Sequence, residues 1–254
     1  MNTTDSRLSA FERLLNIMDD LREKCPWDRK QTFESLRHLT IEETYELSDA
    51  ILKNDLNEIK KELGDLMLHL VFYAKIGSET EDFDLTDVLN GICEKLISRH
   101  PHIYGNVEVN SAEDVKKNWE QLKLKEGNTS VLGGVPASLP SLVKASRMQD
   151  KAAQVGFDWP LVSQVWDKVE EELKEFKEAE GADKEAEFGD VLFSLVNYAR
   201  WININPDDAL ERTNIKFKKR FEAIEMEAIA QGRNMSDLTL EEMDSIWEAA
   251  KKNT

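Results

Sequence analysis

The sequence has few of the residues that interrupt helices, and few of the patterns that build strands. Of its 254 residues only 11 are glycine and 6 are proline, and alternating polar and apolar runs are scarce. Apolar residues instead recur at spacings of three and four, as from Leu8 to Leu21 and from Val162 to Phe176, which is the period of an amphipathic helix. Hydrophobic residues make up 41% of the chain, enough for a core. We therefore expect an all-α fold.

Cysteine and long hydrophobic runs are also scarce. Cys25 and Cys93 lie far apart and lack the spacing of metal ligands, so we interpret them as free thiols in a reducing compartment. No stretch approaches about eighteen uninterrupted apolar residues, the length of a membrane-spanning helix. The N-terminal residues lack the basic and apolar segments of a signal peptide. These absences predict a soluble, cytoplasmic protein with no membrane partner.

Positive charge is in short supply. The chain has 33 Lys and Arg against 50 Asp and Glu, a net charge of −17, and no basic groove is visible in the sequence. Such a chain repels a nucleic-acid backbone, which argues against nucleic acid as a partner. A nucleotide is repelled as well, unless bound metal and a few Lys or Arg neutralise its phosphates. The chain also lacks a Gly-Lys-Ser or Gly-Lys-Thr element, so P-loop chemistry is unsupported.

What the sequence does contain is an internal repeat. The segments 42–46 and 62–65, Glu-Glu-Thr-Tyr-Glu and Glu-Leu-Gly-Asp, correspond to 171–175 and 187–190, Glu-Glu-Leu-Lys-Glu and Glu-Phe-Gly-Asp. Later features match in the same order: Lys95 and Arg99 with Lys216 and Arg220, and Trp119, Glu120 and Lys123 with Trp247, Glu248 and Lys251. A segment rich in glycine and proline separates the copies. We predict two tandem helical units, residues 1–125 and 141–254, joined by a linker at 126–140.

The repeated carboxylates form the strongest candidate site. Residues three apart share a helix face, so Glu172 and Glu175 project together, and Glu187 and Asp190 project together from the next helix. If the helices pack antiparallel, four carboxylates converge, and these must be protonated, paired with cations or bound to metal. Oxygen ligands favour hard cations, Mg²⁺ first, with Mn²⁺ as a substitute. Gly189 predicts close approach of the partner helix or of a ligand. The first unit offers an equivalent set, Glu43, Glu46, Glu62 and Asp65.

Differences between the two copies favour the second unit as the catalytic one. Lys168 stands where the first unit has Leu39, and Asn197 stands where it has Phe72. His69 follows Asp65 by four residues, but its counterpart is a serine, so we interpret it as a packing or surface residue. The residues predicted to act in catalysis are Glu171, Glu172, Glu175, Glu187 and Asp190. Those predicted to bind substrate are Lys168, Glu171, Lys184, Asn197, Lys216, Arg220, Trp247 and Lys251.

The pattern Glu-Glu-x-x-Glu followed by Glu-x-x-Asp resembles the MazG nucleotide pyrophosphohydrolases, an all-α group related to the dimeric dUTPases. The resemblance covers nearly the whole chain and includes the segments Cys25-Pro26-Trp27-Asp28, Glu62-Leu63-Gly64-Asp65-Leu66, Ser98-Arg99-His100-Pro101-His102, Gly156-Phe157-Asp158-Trp159, Lys216-Phe217 and Arg220-Phe221. It implies Mg²⁺-dependent hydrolysis of a nucleoside triphosphate to the monophosphate and pyrophosphate, tolerance of different bases, a homodimer and a housecleaning role. In family members with two such units, activity is ascribed to the second.

Two other interpretations use the same residues. A nucleotide-sensing regulator would bind triphosphates through the same groups without turnover. A helical interaction scaffold would leave the acidic faces solvated, as most charged helix faces are. Product release on adding Mg²⁺ and nucleotide separates the enzyme from the regulator, and stabilisation by metal separates both from the scaffold. The first unit is, on our hypothesis, structural, regulatory or weakly active.

Overall fold

Every regular element is helical in the part of the chain that the computed structural model describes, residues 5–109, 111, 115, 118 and 130–252. The prediction of an all-α fold is therefore confirmed. The chain divides into two compact units, Met1–Trp119 and Glu120–Thr254. Within the described residues, no helix has both the length and the apolar character needed to cross a membrane.

The first unit places a pair of long helices at its centre. Its elements are α1 (Ser6–Lys24), a 3₁₀ turn (Asp28–Lys30), α2 (Phe33–Lys53), α3 (Leu56–Glu79), α4 (Leu85–Arg99) and α5 (Pro101–Tyr104). Asn54 ends α2 in the left-handed region with φ of 55°, and Asp55 then caps α3 by accepting from the backbone of Asn57 and Glu58. The two-residue connection turns α3 back along α2, and these two helices pack together.

The second unit repeats this order. Its elements are α6 (Ser141–Gln154), α7 (Val162–Glu178), α8 (Asp183–Trp201), α9 (Pro206–Ala230), a 3₁₀ turn (Met235–Asp237) and α10 (Leu240–Lys251). Helices α6 and α7 pack on α8 as α1 and α2 pack on α3. The helix order and pairing thus recur along the chain, as the sequence repeat predicts.

The segments between the helices differ in detail from the sequence prediction. The sequence predicts a loop over residues 100–105, after a helix that ends near Arg99. Helix α4 does end at Arg99, but the predicted loop contains the single helical turn α5, begun by Pro101 at its first position. Of the predicted linker, residues 130–140 form turns and bends. Residues 126–129 and the predicted match at Trp119, Glu120 and Lys123 have no described side chains, because they lie outside the described residues.

The first unit holds a hydrophobic core of five buried residues, Met18, Leu36, Val71, Phe72 and Ile76, from α1, α2 and α3. Each such side chain contributes about 1.5–3 kcal/mol by leaving water. In the second unit Val165 and Val169 of α7 are fully buried, and a separate cluster joins Ile224 and Ala228 of α9 to Leu238. The core of the first unit therefore lies beside its carboxylate-bearing helices α2 and α3.

Candidate active site

Helices α7 and α8 carry the carboxylates of the second unit. Helix α7 ends at Glu178, and α8 begins at Asp183 after a connection of four residues. The connection contains Gly181 with φ of 59°, a left-handed conformation that glycine adopts without steric cost. This tight connection makes α7 and α8 antiparallel, so that the C-terminal half of α7 lies against the N-terminal half of α8.

Three of the four predicted carboxylates meet at this point. Glu172, Glu187 and Asp190 each offer an oxygen, and these oxygens lie within 4.8 Å of one another. Glu172 is 7% exposed, Glu187 is half-buried and Asp190 is exposed. Glu175, the fourth member of the predicted set, is exposed and stands outside this close group.

The charges at the cluster are only partly balanced. Lys168 Nζ lies 2.6 Å from Glu172 Oε1 and donates to Glu171 Oε1 at 2.8 Å, and these contacts raise the pKa of Lys168. Partial burial, followed by the negative charges of Glu175, Asp190 and Glu172, raises the pKa of Glu187. Burial and the acidic neighbours of Glu187 thus disfavour its ionised form, and a hard divalent cation bound to its oxygen would favour that form.

A cavity of about 360 Å³ adjoins the cluster. Lys168, Glu172, Asp190 and Asn197, all predicted from the sequence, line it. The remaining wall comes from α6, from α7 and α8, and from the loops before them, with apolar side chains in the majority: Leu132, Met148, Ala152, Phe157, Trp159, Val165 and Phe193. A mostly apolar cavity with a few polar groups and a charged end is typical of a small-molecule site. Leu132 belongs to the segment predicted as a linker, which therefore also forms part of this wall.

Several polar residues at the cavity were not among the predicted site residues. Arg200 donates to Asp158 Oδ1 at 2.7 Å and to Asn197 Oδ1 at 2.9 Å, and Trp201 Nε1 donates to Asp158 Oδ1 at 3.0 Å. This network fixes the amide of Asn197, which is buried. Gln149 of α6 also lines the cavity. Asp158 lies in the segment Gly156-Phe157-Asp158-Trp159 that carries the resemblance. Arg200 ends the segment Tyr198-Ala199-Arg200, which corresponds to Tyr73-Ala74-Lys75 in the first copy of the repeat. Gln149 carries no comparable signal.

The predicted cations and tryptophan near the C-terminus form a separate group on α9 and α10. Phe217 lies 5.2 Å from Trp247 between ring centroids, and the guanidinium of Arg220 lies 5.6 Å from the Trp247 ring. Lys251 pairs with Glu248. Lys216, Arg220, Trp247 and Lys251 are not among the residues that line the described cavity. Lys184 lies over the Phe176 ring at 5.3 Å, also outside the cavity wall.

The first unit has a similar carboxylate group. Oxygens of Glu43, Glu62 and Asp65 lie within 4.8 Å of one another. Glu62 is 2% exposed; its Oε1 accepts from Lys61 Nζ at 2.9 Å, while its Oε2 is buried without a hydrogen-bond partner. Burial, then the charges of Asp65 and Glu46, raises the pKa of Glu43. Glu46 is exposed, as Glu175 is in the second unit.

The first unit has core residues at the positions equivalent to Asn197 and Lys168. Phe72, at the position of Asn197, is 3% exposed and belongs to the core with Met18 and Leu36, and Leu39, at the position of Lys168, packs against that core. The guanidinium of Arg22 lies 5.5 Å from the Phe72 ring. The first unit therefore has apolar packing where the second unit has a lined cavity.

Two smaller expectations have opposite outcomes. Gly189 was predicted to permit close approach of the partner helix or of a ligand. Close approach of the helix is wrong, because a Cβ added there, or at Gly64, would meet no atom within 4 Å, and close approach of a ligand stays a prediction. The interpretation of His69 as a packing residue is confirmed. It is 8% exposed, and its Nδ1 lies 2.6 Å from Thr40 Oγ1.

Comparison with known proteins shows which family the sequence is similar to. Residues 31–104 match the MazG nucleotide pyrophosphohydrolase domain. The chain is 38% identical to a protein of Escherichia coli K12 named nucleoside triphosphate pyrophosphohydrolase, over 96% of this chain and 98% of that protein. It is 44% identical to a Thermotoga maritima protein named nucleoside triphosphate pyrophosphohydrolase/pyrophosphatase MazG, over 95% of each. It is also 46% identical to the Bacillus subtilis protein YabN, named uncharacterized, over 95% of this chain and 52% of that protein.

Proposed function

The chain belongs to the MazG family of nucleotide pyrophosphohydrolases, hydrolases that act on acid anhydrides, and from that premise we propose the reaction and the place where it occurs. The second unit hydrolyses nucleoside triphosphates, of ribose or deoxyribose and with broad base specificity, to the monophosphate and pyrophosphate. Water attacks the α-phosphorus, and the reaction depends on Mg²⁺. The observation that supports this most strongly is the 360 Å³ cavity that adjoins the carboxylate cluster.

The residues of the cluster fit a divalent cation. Oxygens of Glu172, Glu187 and Asp190 lie within 4.8 Å of one another, and burial together with the neighbouring carboxylates raises the pKa of Glu187, which a bound cation would lower. Glu175, on the same face of α7 as Glu172, completes the proposed set of ligands. Mg²⁺ held there would polarise the phosphate oxygens and lower the pKa of a bound water.

The protein's own groups bind and orient the substrate. Lys168 places its ammonium at the cavity wall beside Glu172, where it neutralises a phosphate oxygen. Glu171, 2.8 Å from Lys168, is the carboxylate that accepts the proton of the attacking water. Asn197, held by Arg200, contacts the nucleoside. Lys184, Lys216, Arg220, Trp247 and Lys251 remain proposed contacts of phosphate or nucleoside.

The decisive experiment is a nucleotide panel with Mg²⁺ in isotopically labelled water, with the products separated. We expect monophosphate and pyrophosphate, with the label in the monophosphate because the α-phosphorus is attacked. Glu172→Gln should lower kcat by about 10²–10³-fold, the scale found when one preorganised electrostatic contact is removed. Label in the pyrophosphate would contradict the proposed bond cleavage.

The internal repeat provides a matched control. Glu43→Gln makes the same change at the equivalent position of the first unit and should leave kcat unchanged, because Phe72 and Leu39 fill the space beside that cluster. If Glu43→Gln abolished turnover and Glu172→Gln did not, the assignment to the second unit would be wrong. If the wild-type chain bound nucleotides with Mg²⁺ and released no product, it would be a nucleotide-sensing regulator.

A further inference from the structure

Gln149 of α6 holds a buried hydrogen-bond acceptor without a partner. The side chain is 7% exposed, and its Nε2 donates to the backbone oxygen of Phe193 at 2.8 Å. A backbone oxygen can only accept, so the amide must turn its NH₂ group towards Phe193 and its oxygen away. Oε1 is buried, and none of the residues that the structure describes donates to it. A buried acceptor left unpaired costs free energy, so its presence calls for an explanation.

The position of Gln149 provides an explanation for this unpaired acceptor. Gln149 lines the same cavity as the carboxylates. In a helix the oxygen of Phe193 also accepts from the backbone N–H of Asn197, four residues later, so the Gln149 amide lies next to the backbone of Asn197. The Asn197 side-chain oxygen accepts from Arg200, and Arg200 is held in turn by Asp158. Both residues line the cavity, and the buried amide of each is fixed by a hydrogen bond at one end.

These amides stand away from the carboxylates. Asn197 follows Asp190 by seven residues on the same face of α8, a distance of about 10 Å along the helix. Phe157, which is 80% exposed, and Trp159 also line the cavity and offer aromatic surface. A triphosphate bound at the carboxylates would direct its nucleoside into the remaining cavity, where these amides and rings lie.

We propose that Gln149 is a specificity-determining residue whose Oε1 accepts a hydrogen bond from an N–H group of the nucleobase. This inference rests on the proposed function, because it assumes that the cavity holds a nucleotide. All the common bases offer an N–H group, so Gln149 selects for a hydrogen-bonding base and against an apolar one without excluding any common nucleotide. The first unit packs Phe72 with Met18 and Leu36 beside its cluster and offers no equivalent cavity wall.

The test compares two substrates, the best natural triphosphate of the panel and benzimidazole riboside triphosphate, whose bicyclic base has no N–H group. In the wild-type chain we expect kcat/KM to be about 10–100-fold higher for the natural substrate, as for the loss of one buried hydrogen bond. Gln149→Met keeps the length of the side chain and removes the acceptor. It should lower kcat/KM for the natural substrate by a similar factor and leave the benzimidazole substrate unchanged. Gln154→Met, at an exposed position at the end of α6, is the matched control and should change neither value.

The outcomes separate this inference from a structural role and from the proposed function. If Gln149→Met slowed both substrates equally, Gln149 would only support the fold, and the inference would be overturned. Equal rates for the two substrates in the wild-type chain would overturn it without any variant. A wild-type chain that cleaved no triphosphate would contradict the proposed function alone. The preference for the natural triphosphate over the benzimidazole triphosphate would then be measured as a ratio of Kd values.

Discussion

Single charges determine the properties of the second carboxylate cluster. Lys168 pairs with Glu171 and Glu172 on the α7 side, while Glu187 on α8 faces the negative charges of Glu175, Asp190 and Glu172. The raised pKa of Glu187 means that its ionisation is less favourable in the folded chain than in the unfolded chain. Without a cation, the ionised Glu187 side chain therefore works against folding at neutral pH.

Replacement of Glu187 should stabilise the metal-free chain and reduce the further stabilisation that Mg²⁺ provides. With divalent metal removed, Glu187→Gln should raise Tm at pH 7, because the neutral amide ends the repulsion. Since the folded-state pKa is raised, the wild-type chain is destabilised above that pKa, and the gap between wild type and variant should close as the pH falls towards the unfolded-state value. Mg²⁺ should raise Tm of the wild-type chain more than that of the variant.

Glu185→Gln is the control for this prediction, because Glu185 is an exposed carboxylate on the same helix. It should leave the Mg²⁺ response of Tm intact. Thermal unfolding followed by circular dichroism, with and without Mg²⁺ and across pH, provides the measurement. A variant that Mg²⁺ stabilised as strongly as the wild-type chain would remove Glu187 from the set of ligands.

Residue spacing predicted the carboxylates but not the other polar groups that line the cavity. Glu172, Glu187 and Asp190 were found because spacings of three place them on helix faces and because the pattern occurs twice. Gln149 and Arg200 have roles that depend on contacts with Phe193 and Asp158, 44 and 42 residues away in sequence. No local pattern encodes such contacts, so only the tertiary structure identifies them.

At the level of elements, the equivalent helices α3 and α8 have different roles, since α3 contributes Phe72 to a core and α8 contributes Asn197 to the cavity wall. Helices α3 and α8 both carry a Glu-x-Gly-Asp segment and both pack on the two helices before them. The repeat and the helix pattern predicted this order, and the apolar substitutions predicted which copy keeps polar groups. The cavity itself could not be predicted, because its walls include the loop residues Leu132, Phe157 and Trp159 as well as α6.

This difference between α3 and α8 can be tested by asking whether Phe72 stabilises the core of the first unit. Phe72→Ala should destabilise the protein by about 3–5 kcal/mol, because the ring is 3% exposed within the core and its removal leaves a cavity. Urea unfolding provides the measurement. Leu63→Ala, on the same helix but 53% exposed, should change stability by no more than about 0.5 kcal/mol. Equal effects of the two substitutions would mean that Phe72 is not a core residue.

For the molecule as a whole, the described residues hold two carboxylate groups with the spacing of a metal site on a chain of net charge −17, one in each compact unit. Glu62 Oε2 in the first group is buried and has no hydrogen-bond partner among those residues, so we expect this group to bind a cation as well. The two groups differ in their surroundings, since only the second adjoins the lined cavity that contains Lys168 and Asn197. In the full chain, a substitution in the first group should therefore weaken metal binding without weakening nucleotide binding.

Titration of the full-length chain with Mn²⁺ as a spectroscopic probe should accordingly reveal metal sites in both units. We expect Glu43→Gln to weaken the sites of the first unit and leave hydrolysis unchanged, and Glu172→Gln to weaken those of the second and abolish hydrolysis, because each removes one carboxylate from one cluster. A non-hydrolysable triphosphate should tighten Mn²⁺ binding only where the second cluster is intact, since phosphate oxygens complete the coordination there. Tightening by nucleotide that persisted in Glu172→Gln and vanished in Glu43→Gln would place the nucleotide in the first unit. Such a result would require the packed core around Phe72 to open for the ligand.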